Sequence, residues 1–273
     1  MEAKKTKHFS KKEWKKIRVW LRALIQLAFF LFFPSAYTAA FAGVKYIFTQ
    51  LGAEKAVVLT SFTTVLLVLG LYTIVFGRFF CGFACAFGSL GDAVRALYVF
   101  ICKKLKKKPI TMKAAVVKKL QVVKYFVLAI IAVTCFTGVY SKAKGFSPWD
   151  VFSMLHARNF KLGGYTLGVV LLVLIVIGMC FQERFFCRVL CPMGAVFSIL
   201  PVLPFSTLRR DRSECIKGCR ACTMKCPSDI ELAPDTAPEL SGDCFQCQKC
   251  IDTCAKGNIH TGIRALKGNE IWY

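Results

Sequence analysis

Eight cysteines near the C-terminus fall into two runs, Cys215-x3-Cys219-x2-Cys222-x3-Cys226-Pro227 and Cys244-x2-Cys247-x2-Cys250-x3-Cys254. A tight loop with this spacing presents three thiolates to three irons of a cubane and leaves the fourth iron to a ligand from elsewhere. In the bacterial two-cluster pattern, C-x2-C-x2-C-x3-C-P, the fourth cysteine of each run ligates the other cluster. On that rule one [4Fe–4S] cluster takes Cys215, Cys219, Cys222 and Cys254, and the second takes Cys244, Cys247, Cys250 and Cys226. The first run carries one extra residue within Ile216-Lys217-Gly218, which a glycine can absorb. The second has Ala255 where proline is usual. Neither departure removes a ligand. A pair of zinc sites is the competing reading, but zinc sites rarely use eight cysteines in this order.

The 15 cysteines of the 273-residue chain do not suggest a secreted disulfide scaffold. They cluster at metal-ligand spacing beside basic segments, and dense cysteine in a reducing compartment points to metal. Around them the chain is apolar, with 56% hydrophobic residues. Segments at 18–40, 56–77, 119–140 and 164–183 each approach the ~20 residues that cross a hydrocarbon core of about 30 Å. Pro34 predicts a kink or an early stop in the first.

The formal net charge of +23 is distributed as a topology signal rather than as a nucleic-acid surface. The segment between the second and third spans holds Lys103, Lys104, Lys106, Lys107, Lys108 and further cations, while the 41–55 and 141–163 loops hold far fewer. The positive-inside rule places that segment and both termini in the cytoplasm. No early small-residue cleavage site follows the basic N-terminal stretch, so no signal peptide is expected. The expected location is the cytoplasmic (inner) membrane of a prokaryote, crossed several times.

The sequence also repeats itself. Arg78-Phe79-Phe80-Cys81-x3-Cys85-x2-Gly88 matches Arg184-Phe185-Phe186-Cys187-x3-Cys191-x2-Gly194. Each copy ends a hairpin on the cytoplasmic side, which implies a parallel repeat about the membrane normal. Cys81, Cys85, Cys187 and Cys191 would then meet and could hold a third iron–sulfur cluster, [4Fe–4S] or [2Fe–2S], at the repeat interface. Small apolar packing residues are the bland alternative. Arg78 and Arg184 could neutralise such a site or serve as interfacial anchors. Cys102, Cys135 and Cys180 read as packing residues, and Trp149 reads as an interface anchor with a quinone or partner contact as the sharper alternative.

The expected fold is therefore an all-α polytopic membrane domain of about four helices, in two parallel repeated hairpins, joined to a small C-terminal bacterial-type two-cluster ferredoxin domain. The divisions are a basic cytoplasmic tail (1–16), the transmembrane domain (17–204), the ferredoxin domain (205–264) and a C-terminal tail (265–273). The histidines, His8, His156 and His260, lie outside the spans and no C-x-x-C-H occurs, so no haem is expected. Dinucleotide and P-loop motifs are also missing from the sequence.

These residues resemble the membrane polyferredoxins related to NapH, NosR and CcoG, which combine several membrane helices, two C-x-x-x-C-P motifs and a C-terminal pair of 4Fe–4S motifs. Pro192 keeps the second motif, whereas Ala86 replaces the proline of the first. The resemblance implies an electron-transfer subunit of an oxidoreductase complex, working between a cytoplasmic donor such as a soluble ferredoxin or dehydrogenase and quinone or a flavin- or haem-bearing partner. The alternative it allows is a copper-reducing assembly factor, for which the outer loops offer only Met154 and His156. Membrane lipid is an expected partner and nucleic acid is not.

Overall fold

A computed structural model describes residues 11–262, apart from 34, 142–143, 162, 205, 213–214 and 234–236. The C-terminal tail and most of the basic N-terminal tail lie outside the described residues. The fold is helical up to residue 199 and turns into short, loop-rich structure after it.

The four apolar segments take three forms. The first is divided between α1 (Lys11–Phe32) and α2 (Ala36–Gly52), which meet at 61°. The break coincides with Pro34, itself outside the described residues. The second becomes α3 (Ser61–Phe76), opened by a capping box in which Thr60 and Thr63 exchange side-chain and backbone hydrogen bonds. The third joins α6 (Ala114–Leu120) to α7 (Val123–Phe136) as one 23-residue helix. Among the described residues it alone is long and apolar enough to cross a membrane unaided; the bent α1–α2 pair would make a second. The fourth is α9 (Thr166–Phe181). At 16 residues each, α3 and α9 are about 24 Å long, shorter than the four full spans expected. Both stop where the chain turns into the R-F-F-C motif, and Arg184 there has a left-handed φ of 57°.

α2 packs against α3 and α7, and α9 packs against α5 (Ala86–Lys104) and α8 (Pro148–His156). Trp149, expected as an interface anchor, is half-buried: the start of α8 packs inward, and the indole ring lies 5.4 Å from Phe41 and 6.4 Å from Phe186. Phe152 follows it, with its ring 4.0 Å from Phe87. Ser147 caps α8 by accepting from Asp150 N, which fixes that entry angle.

The C-terminal domain is tied end to end. β1 (Leu208–Arg210) pairs antiparallel with β2 (Ile259–Thr261), with Arg209 opposite His260. Its buried core consists of Leu208, Leu232, Ile259 and the thiols of Cys244 and Cys250. So small an apolar core leaves much of the stability of this segment to its docking on the helices.

Candidate metal centres

The second cysteine run is built as a cradle. Gln246 and Gln248 adopt left-handed φ of 50° and 59°, so the chain coils tightly between ligands, and α12 (Lys249–Thr253) starts just before Cys250. Cys244, Cys247 and Cys250 line one cavity together with Cys226 and Cys222 from the first run, walled by Leu208, Ile230 and Leu232. The cavity thus gathers the expected crossover cysteine, Cys226, and also Cys222, which the spacing assigned to the other cluster. Backbone N–H groups point at the sulfurs: Gln246 at Cys244, Lys249 at Cys247, Ile251 at Cys250, Ser228 and Ile230 at Cys226. Burial pushes these thiols up, Cys250 to about 12 and Cys244 further, and mutual repulsion adds to it. Only a metal centre that displaces the protons makes four thiolates stable there, and inward N–H groups suit a negatively charged iron–sulfur core.

The other predicted set is less gathered. Cys222 and Cys254 pack on the same small core. Arg210 donates to Cys222 Sγ at 3.7 Å and Asn258 N to Cys254 Sγ at 3.4 Å. Cys215 is half-buried and Cys219 exposed. Gly218 has a φ of 73°, so the additional residue of this run sits in a left-handed turn. Among the described residues no three His, Cys, Asp or Glu groups converge tightly enough for a single ion.

In the helical domain, Cys81 lies on α4 (Phe79–Phe83), Cys187 in a π turn (Phe186–Leu190), and Cys85 and Cys191 stand just before α5 and α10 (Pro192–Ile199). All four are buried, and each of Cys85 and Cys191 feels the charge of the other three or of two of them. Gly88 N donates to Cys85 Sγ, and Gly194 N donates to Cys191 Sγ at 3.1 Å. The two copies also exchange their arginines. A Cβ on Gly88 would meet Arg184 Nη1 at 2.3 Å, and one on Gly194 would meet Arg78 Nη2 at 3.0 Å. Each guanidinium crosses the cap of the opposite copy, and glycine is needed there because a backbone carbonyl, Cys81 O at Gly88 and Cys187 O at Gly194, would lie 2.9 Å from a Cβ.

Both arginines are 1% exposed, so neither is an interfacial anchor. Arg184 holds Asp92 through Nε at 2.9 Å and Nη2 at 2.6 Å, and donates to the carbonyls of Gly82 at 2.9 Å and Cys81. Arg22 and Gln26 of α1 also reach Asp92, each at 2.8 Å. Burial alone would push the Asp92 carboxyl up; Arg184 and Arg22 outweigh it and hold it at about 2. Arg78 donates to Gly242 O at 3.2 Å and Asp243 at 3.4 Å. Its buried Nε and Nη2 find no partner among the described residues, yet its charge acts on Cys81, Cys187 and Cys191. An anionic group held by those thiols fits the orphaned donors.

The same arginines hold the two domains together. The Phe245 ring, between Cys244 and Cys247, lies 4.7 Å from Arg78 and 5.8 Å from Arg184. The Phe245 carbonyl would be 2.3 Å from a Cβ on Gly82. At the matching position of the second copy, Arg188 instead donates to Pro227 O at 2.6 Å and Asp229 at 3.0 Å. Lys124, 0% exposed, reaches Asp243 at 2.5 Å. Sequence reading missed Asp92, Lys124, Asp243, Phe245 and Tyr37, whose hydroxyl lies 3.6 Å from Cys191 Sγ. A signal existed for two of them: Asp92 is the lone acid between Arg78 and Lys119, and Lys124 is a charge inside an apolar run.

Residues 57–109 and 165–203 match the family model of a 4Fe-4S binding domain; each matched segment contains one R-F-F-C-x3-C copy. The chain is 33% identical over 183 residues to an uncharacterised protein of Methanocaldococcus jannaschii, covering 67% of this chain and 63% of that one. A second uncharacterised protein of the same organism is 27% identical over 86% of this chain and 92% of its own length. The ferredoxin-type protein NapH of Haemophilus influenzae is 26% identical over 68% of this chain. The chain thus spans less than two thirds of the first and third of these relatives, 63% and 62%. No solved structure matches it.

Proposed function

We propose that the chain belongs to the membrane polyferredoxin-like family and is a multi-pass iron–sulfur electron-transfer protein of a prokaryotic cytoplasmic membrane. Cys215, Cys219, Cys222 and Cys254 would hold one [4Fe–4S] cluster, Cys244, Cys247, Cys250 and Cys226 a second, and Cys81, Cys85, Cys187 and Cys191 a third centre where the two hairpins meet. Such clusters, when bound, supply one-electron carriers.

The observation that carries this reading is the position of Arg184. Its charge acts on Cys187 of the helical domain and on Cys247 of the C-terminal domain, with the Phe245 ring beside it. One buried, fully bonded side chain therefore fixes the spacing of two thiol sites and lowers the repulsion between their negative charges. The reciprocal arginine exchange supports a pseudo-twofold arrangement of the hairpins. The bend at residues 33–35 and the short helices α3 and α9 are compatible with four crossings if flanking extended residues complete them. All three thiol sites belong to one end of the helices, so a partner carrying flavin or haem, or quinone, would complete a route to the other face.

The test is anaerobic purification with iron and sulfide analysis and EPR, for the native chain and for Cys81→Ser with Cys187→Ser. The expected result is loss of one signal and its iron in the variant, with the C-terminal signals retained. A colourless, iron-free native preparation would overturn the proposal.

A further inference from the structure

Building on that electron-transfer reading, we propose that the exposed segment of residues 215–225 docks an acidic soluble redox protein. The two cysteine runs differ in surroundings. The Phe245 side of the second run is buried against Arg78 and Arg184, so no soluble protein reaches it. Residues 216–220 are all exposed, the predicted ligand Cys219 among them. This side therefore offers a partner direct access to a candidate ligand.

The chemistry of the face is one-sided. Lys217, Arg220 and Lys225 are exposed, and no carboxylate occurs between residues 215 and 225. Three acids of the domain are engaged elsewhere: Asp229 by Arg188, Asp243 by Lys124 and Asp252 by Arg18. Among the described residues none of the three cations takes part in an ion pair with them. Between the cations, Ile216 and Met224 are 57% and 74% exposed. Apolar side chains ringed by charges of one sign have the anatomy of a transient docking patch, and the charge selects a negatively charged partner and speeds encounter. In the exchange the partner is oxidised by one electron and this chain is reduced by one; no bond or proton need move.

The test uses the full chain, iron-loaded, in nanodiscs of zwitterionic lipid, with a strongly acidic plant-type [2Fe–2S] ferredoxin as probe. Surface plasmon resonance should detect binding that weakens at least about tenfold in the triple variant Lys217→Glu, Arg220→Glu, Lys225→Glu, and also as salt is raised. A variant with the same charge change elsewhere, Lys103→Glu, Lys104→Glu, Lys107→Glu, should bind as the native chain does. Iron content and EPR signals equal to the native protein certify the fold of both variants. Equal affinity of native and face variant, or equal loss in the control, overturns the proposal. So does face-dependent binding to vesicles of anionic lipid without ferredoxin binding, which would make the face a lipid contact. An iron-free chain would instead overturn the electron-transfer reading itself, so the two failures are distinguishable.

Discussion

Arg184, from the second R-F-F-C copy, donates to the Gly82 carbonyl of the first at 2.9 Å while its Nε and Nη2 hold both oxygens of Asp92. A planar fork is needed to serve carboxylate and carbonyls at once. Lysine keeps the charge but offers a single point donor. Arg184→Lys should therefore cost about 2 kcal/mol, and Arg184→Met, which leaves Asp92 with only Arg22 and Gln26, about 3 kcal/mol or more. Thermal unfolding in detergent checks the order; a lysine variant as stable as the native chain would remove the fork from the account.

Gly82 makes a different contact with the same loop. A Cβ there would lie 2.3 Å from the backbone oxygen of Phe245, and backbone cannot swing aside as a flexible side chain can. Gly82→Ala should lift the 242–247 loop from the helices while leaving the C-terminal cysteines able to bind iron. Hydrogen exchange should quicken at residues 242–247, and iron content should stay near native. Gly70→Ala, whose Cβ would meet nothing nearer than 3.9 Å, is the matched control and should change neither.

What the sequence carried plainly was the ligand pattern, because spacing within Cys244–Cys250 is a local property of the chain. On that pattern Cys226 is expected to cross to the second run, and Cys226 and Cys222 both line the cavity beside it. The docking contacts were not legible: Arg78 and Gly242 are 164 residues apart, and nothing local to either announces the other. Helix ends were misjudged for a related reason. The apolar residues Ala56–Leu59 precede α3 without joining it, and both α3 and α9 stop where Arg78 and Arg184 turn inward. Trp149 has the composition of an interfacial residue and only the inward packing at the start of α8 brings it against Phe186.

The cysteine pairing makes a sharp cross-prediction. Cys226 sits in the first run but lines the cavity of the second. Cys226→Ser should therefore remove the same EPR signal as Cys247→Ser and leave the signal that depends on Cys222. Cys254→Ser should do the reverse and match Cys215→Ser. Each variant should lose about four irons, the content of one [4Fe–4S] cluster. If Cys226→Ser instead matched Cys222→Ser, each run would ligate its own cluster.

Asp92 supplies a prediction in pH. Its carboxyl is held at about 2 in the fold, below the ordinary value of 3.8. A lowered folded-state value means the unfolded chain binds the proton more readily, so acid favours unfolding. The contribution, about 2 kcal/mol by linkage, is fully present above about pH 4 and disappears as pH falls through about 2. Asp92→Asn cannot titrate, and it leaves Arg184, 1% exposed, without its carboxylate, at a cost of about 3 kcal/mol. The stability difference between native and variant chains, followed by chemical denaturation in detergent, should be constant from neutral pH down to about 4 and narrow below it. Measuring the difference cancels the acid sensitivity that both chains share through their thiolate sites. A gap that stays the same width down to pH 2 would mean that Arg184 and Arg22 do not hold this carboxylate ionised.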